Sequence, residues 1–107
     1  MKITTYDVTM VSFVRLNSST TVPVRLTNGS VKFTRAWITG NKAAQTANTG
    51  TVYIGAASGD GNQSIGIATG ARMELFAPPG FHLDFFNIWL DVANANDGVA
   101  IEYIPAG

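Results

Sequence analysis

Short runs of β-branched and aromatic residues, broken by Gly, Asn, Asp or Pro, recur along the whole chain. Val8 to Leu16 is the first run, and it stops at Asn17-Ser18-Ser19-Thr20. Thr21 to Thr27 is the second, followed by Asn28-Gly29, the dipeptide preferred in two-residue hairpin turns. Val31 to Thr39 is the third, closed by Gly40-Asn41, and residues 41–50 then carry no apolar period and read as a loop. Thr51 to Ile54, Ser64 to Ala68 and Ala71 to Phe76 are short strands, with a flexible segment around Ser58-Gly59-Asp60-Gly61-Asn62. Pro78-Pro79-Gly80 ends that region, because proline cannot donate to a ladder. Phe85 to Val92 and Val99 to Ile104 form a closing pair joined by residues 93–98. Eight candidate strands without an amphipathic helix predict an all-β fold. The expected form is a small antiparallel β-sandwich or jelly-roll-like single domain over residues 1–107, with an N-terminal arm over about residues 1–7.

Alternation sets the faces. Ile88, Leu90 and Val92 share one side and Asn87, Trp89 and Asp91 the other, while Val99, Ile101 and Tyr103 oppose Ala100, Glu102 and Ile104. The first run is apolar on both sides, Val11 and Phe13 against Val8, Met10 and Val14. Such a strand is expected to be covered twice, by a second sheet or by a neighbouring subunit.

Composition narrows the chemistry. At 107 residues the chain is one domain, and about 65% of its unfolded surface can be buried. It has no cysteine, which excludes a disulfide scaffold, a thiolate metal site and a cysteine nucleophile. Seven basic residues balance seven acidic ones, which argues against nucleic acid as a partner. No apolar stretch approaches the roughly 20 residues of a membrane helix. The Met1-to-Asp7 start lacks the apolar core of a signal peptide.

Candidate chemistry is sparse. His82 is the only histidine and has no Gly-x-Ser-x-Gly context, so it reads as structural. Asp60-Gly61-Asn62 resembles the start of a calcium loop, but the twelfth position is Ala71 instead of the bidentate Glu of an EF-hand, and the stretch reads as a solvated turn. Asp91 and Asp97 could approach as a carboxylate pair, yet Asp97 precedes Gly98 and reads first as turn chemistry. No catalytic, cofactor or metal site is expected. Arg15, Arg25, Lys32, Arg35 and Lys42 lie in the first half, while Glu74, Asp84, Asp91, Asp97 and Glu102 lie in the second. Two readings remain: compensating faces of one sandwich, or charge patches that set register between copies.

Aromatic positions carry the most information. Phe33, Phe76, Phe85 and Tyr103 read as core, and Trp37 shares a face with Arg35 and Thr39. Trp89 lies between polar Asn87 and Asp91. A loop of its own subunit, another chain or a sugar ring could cover it. Trp89, Asn87, Asp91, Val11 and Phe13 are therefore the candidate interface residues.

Asn28-Gly29-Ser30-Val31-Lys32-Phe33, Asn48-Thr49-Gly50-Thr51-Val52-Tyr53-Ile54-Gly55, Pro79-Gly80 and the closing Asp84-to-Tyr103 segment resemble small β-sandwich proteins of tailed bacteriophage virions. The resemblance spans residues 28–104 loosely and consists of strands and turns, with Pro78-Pro79 and Phe81-His82 as departures. It implies a non-enzymatic structural subunit on the capsid surface, a decoration (cement) protein bridging capsid subunits. The partners implied are the major capsid protein and further copies of the chain, as a homotrimer, with no cofactor, nucleic acid or membrane. A carbohydrate-binding module of a tail fibre or spike is the alternative, and only that reading brings in a glycan.

Overall fold

A computed structural model describes residues 9–106. The expected N-terminal arm lies outside the described residues. The fold is an all-β sandwich of antiparallel sheets with one 3-10 turn. In chain order the strands are β1 (Val11–Asn17), β2 (Val24–Arg25), β3 (Lys32–Thr39), β4 (Asn41–Ala43), β5 (Thr46–Ala47), β6 (Val52–Gly55), β7 (Ile65–Ile67), β8 (Arg72–Phe76), β9 (Leu83–Asp84), β10 (Trp89–Val92) and β11 (Asp97–Pro105). One sheet has the order β1-β11-β3-β8, with β9 also on β3. The second has the order β2-β10-β6-β7, and β4-β5 form a small ribbon.

The core lies between the two sheets. Phe33, Ala36, Ile38, Val99, Ile101 and Tyr103 of the first sheet meet Val52, Ile54, Ile67, Leu90 and Val92 of the second. Phe85 sits at the centre: its ring stacks on Phe33 at 3.9 Å and meets Tyr103 and Phe13 edge-on at 5.0 and 5.4 Å. Such pairs add about 0.5–1.5 kcal/mol each beyond burial of area.

Several expectations require correction. The strand expected from Phe85 begins as a 3-10 turn over Phe85–Asn87, capped by Asp84, whose carboxylate accepts from the Phe86 amide. Asn28-Gly29 makes no hairpin: β2 and β3 lie in different sheets, and neither Asn28 nor Gly29 has the positive φ of a two-residue hairpin turn. The closing pair separates likewise, β10 into one sheet and β11 into the other. Residues 41–47 form the β4-β5 ribbon where sequence suggested loop. Phe76 is 69% exposed, outside the core.

Among the described residues nothing covers the outer side of β1. Phe13, Arg15 and Asn17 turn inward, while Val14 and Leu16 are 43% exposed and Met10 46%. A bulge on β3 explains how Phe33 reaches the core position expected of it. Arg35 pairs with Ile104, but Phe33 pairs with Pro105, so one residue drops out of the alternation. Phe33 thereby turns into the core, although it is in phase with the outward Arg35 and Trp37.

Candidate functional site

The sandwich presents two outer faces, and the five candidate interface residues do not gather on either. Val11 is exposed at the start of β1, whereas Phe13 belongs to the aromatic core. Asn87 is exposed in the 3-10 turn and so falls out of alternation with β10. Trp89 and Asp91 do point away from the core, but their own chain covers both. Arg25, paired opposite Trp89 on β2, lays its guanidinium over the indole at 4.4 Å and over Phe86 at 3.9 Å. It also donates to the Phe86 carbonyl at 2.5 Å, and Arg15 donates to the Arg25 carbonyl at 2.9 Å. Of the three covers considered for Trp89, this is a cover by its own subunit.

Asp91 is 7% exposed because the loop between β6 and β7 folds back across the second sheet. One carboxylate oxygen accepts from the Gly61 amide at 3.1 Å and the other from its own strand's Val92 amide at 2.9 Å. Asp60, on the same loop, brings its carboxylate to that of Asp91. This contact, with burial and the charge of Asp91, pushes the Asp60 pKa above its usual value, against a lowering hydrogen bond from Gly61. The pairing with Asp97 that the sequence left as a lesser possibility is not made: Asp97 is fully buried at the start of β11 and accepts from the Thr49 and Gly50 amides. Gln63 is buried beside the same loop, donating to the Ala57 and Gly59 carbonyls at 2.6 and 3.0 Å. Asp91, Gln63, Gly61, Tyr53 and Thr20 line a cleft of about 290 Å³.

The other outer face carries the apolar surface. Ser12, Glu102, Trp37 and Glu74 form one cross-strand row, and Val14, Ala100, Thr39 and Arg72 form the next. A groove of about 300 Å³ runs over these rows. Arg35 caps Trp37 at 5.0 Å and pairs with Glu74 at 2.6 Å. Both partners are exposed, so the pair adds at most about 1 kcal/mol. The basic first half and acidic second half thus interleave on one face, because β3 lies between β11 and β8.

Sequence reasoning missed two further features. Phe76 and Phe81, 69% and 68% exposed, flank Pro78-Pro79-Gly80 at one tip, where Gly80 takes φ 84°. Asp84 pins this segment from inside, accepting from the Ser30 hydroxyl and from the Val31 and Phe86 amides, the amides both at 2.9 Å. Burial raises the Asp84 pKa, but those hydrogen bonds and the charge of Lys32 outweigh it and hold the carboxyl below its usual value. His82 is exposed in the same loop. Among the described residues no three His, Cys, Asp or Glu side chains converge. Compared with known protein families, curated proteins and solved structures, the chain matches none of them.

Proposed function

We propose that this chain is a structural subunit that works by packing against protein neighbours, and specifically a capsid decoration protein of a bacteriophage virion. The observation that carries the reading is β1. Among the described residues β1 is the edge of its sheet, seven residues long, with Val14 and Leu16 outward. Edge strands are ordinarily guarded by Lys, Pro or an outward charge. Val11–Asn17 has no Lys or Pro, and its only charge, Arg15, is turned inward on to the Arg25 carbonyl. An unguarded apolar edge suits a protein that spends its working life covered. The particle itself comes from the strand-and-turn resemblance. Bridging several capsid subunits would turn modest contacts into firm attachment through effective concentration.

A sugar-binding reading has one observation in its favour, and it is not Trp89. Trp37 lines the 300 Å³ groove with Ser12, Thr39, Arg72 and Glu102, an aromatic plane ringed by hydroxyls and charges. One experiment separates the readings. Wild type, a Val14→Lys/Leu16→Lys double variant and Trp37→Ala are compared by light scattering, by co-sedimentation with undecorated capsid shells and on a glycan array. A decoration protein sediments with shells and self-associates, and the Lys variant loses both while its circular dichroism is unchanged. A monomeric, non-sedimenting wild type refutes the proposal. Glycan signal lost in Trp37→Ala replaces it with the alternative.

A further inference from the structure

The dipeptide that makes no hairpin is left open to chemistry instead. Asn28-Gly29 lies in the crossover that carries the chain from β2 in the second sheet to β3 in the first, and Asn28, Gly29 and Ser30 are all exposed. We infer that it is a self-modifying site: in the folded protein Asn28 deamidates through a succinimide to aspartate and isoaspartate, while the chain's other dipeptides of this kind are locked by the fold.

The reaction needs no partner but water. The Gly29 backbone nitrogen gives up its proton to solvent base and attacks Asn28 Cγ, forming a C–N bond. The Cγ–Nδ2 bond breaks, and Nδ2 takes up a proton and leaves as ammonia. Water then adds to one carbonyl of the five-membered ring. Opening at Cγ leaves aspartate, and opening at the main-chain carbonyl leaves isoaspartate, with the backbone running through Cβ. One water is consumed and one ammonia released, with no change of oxidation state. Ring closure is intramolecular, so its rate turns on whether nitrogen and Cγ can reach attack geometry. A following residue without Cβ gives the nitrogen the greatest freedom to do so.

The sequence contains three Asn-Gly or Asp-Gly dipeptides, and the fold treats them differently. At Asp97-Gly98 the glycine amide donates to Asn48 Oδ1 at 3.0 Å, and the buried carboxylate is held by the Thr49 and Gly50 amides. At Asp60-Gly61 the glycine amide donates to Asp91 at 3.1 Å, with φ fixed at 75°. In both, the attacking nitrogen is engaged, and freeing it costs a hydrogen bond to a buried acceptor. The buried Asn17 and Asn48 have both ends of their side-chain amides bonded.

Asn28-Gly29 has none of these locks. Among the described residues the Gly29 amide has no acceptor and the Asn28 side chain no partner. Thr27 donates its hydroxyl to the Gly29 carbonyl at 2.7 Å, a bond that leaves the nitrogen free. A Cβ built on Gly29 would meet nothing within 4 Å, so the segment has room to swing. Its anchors lie outside it, the Leu26 amide on the Ile88 carbonyl and the Val31 amide on Asp84, both at 2.9 Å. The product's new charge and, in isoaspartate, its longer main chain therefore fall in an exposed loop, and the fold survives them. Seven acids balance seven bases before the reaction, so the product is an acidic form of a formally neutral chain.

Ageing the folded protein in mildly alkaline buffer tests the site, followed by ion exchange and by peptide mapping with isoaspartyl methyltransferase labelling. A species as acidic as the Asn28→Asp variant should grow in, with isoaspartate confined to the peptide that carries residue 28. Asn28→Gln should abolish it. Gly29→Ala, which the open space accommodates, should slow it strongly without loss of stability. In urea the selectivity should vanish, with isoaspartate appearing at Asp60 and Asp97 as well. Conversion that begins at Asp60 or Asp97 in the folded protein overturns the inference. So does an Asn28 that reacts in urea but stays intact in the fold.

Discussion

Asp97 offers a direct test of how the second half of the chain is locked. Its carboxylate is fully buried, one oxygen accepting from the Thr49 amide and the other from the Gly50 amide, both at 2.9 Å. Beside it Asn48 bonds Gly98 reciprocally, its amide to the Gly98 carbonyl at 2.7 Å and its oxygen to the Gly98 amide at 3.0 Å. The 48–50 turn is thus clamped to the start of β11, the strand that joins β1 to β3. Asp97→Ala removes two charge-assisted hydrogen bonds, each worth about 1.5–3 kcal/mol. Thr49 is exposed and Gly50 half-buried, so water restores part of the loss and the net cost is about 3 kcal/mol. Asp97→Asn keeps one acceptor but aims an NH₂ at an amide donor, for about 2 kcal/mol. With a urea m-value of about 2 kcal/mol/M, Asp97→Ala should lower the midpoint by about 1.5 M without changing the slope. Asn96, not Asp97, holds the positive φ of the turn, at 68°, so Asn96→Gly should be nearly neutral. An Asp97→Ala protein within about 0.5 kcal/mol of wild type would refute the clamp, because surface turn residues behave that way.

Two further outcomes follow from the same geometry. Urea midpoints across pH should separate two carboxylates whose pKa values are shifted in opposite directions. The raised pKa of Asp60 favours its protonated form in the fold, a contribution present below 3.8 and lost as pH rises through the folded value. Asp60→Asn should therefore gain on wild type above that value. The lowered pKa of Asp84 contributes above 3.8 and is lost as pH falls through its folded value, so Asp84→Asn should be weaker than wild type at neutral pH and converge in acid; parallel curves would contradict both assignments. Trp89→Ala should cost the isolated subunit about 2 kcal/mol, since the indole is half-buried under Arg25. A double-mutant cycle with Arg25→Ala should show coupling of at least about 0.5 kcal/mol, and additive losses would show that the stack contributes nothing.

Alternation by itself determined which side of the late strands is core. Leu90, Val92, Val99, Ile101 and Tyr103 are all buried, since a pleated strand has no other way to hide every second side chain. The all-β class followed equally, from short β-branched runs punctuated by turn residues. Pairing was out of reach. The Asn28-Gly29 signal speaks only for adjacent segments, whereas β1 pairs with β11 and β10 with both β2 and β6, contacts fixed by burial of a shared core. Phe33 is in the core, as expected of a strand aromatic, but the bulge that turns it in against strict alternation was not legible. The burial of Asp91 was equally hidden. Gly61 reaches Asp91 only when a loop folds over a sheet face, and composition does not encode where a loop lies down. Periodicity is local and reports faces, while partners are non-local, chosen when the two sheets close on Phe85.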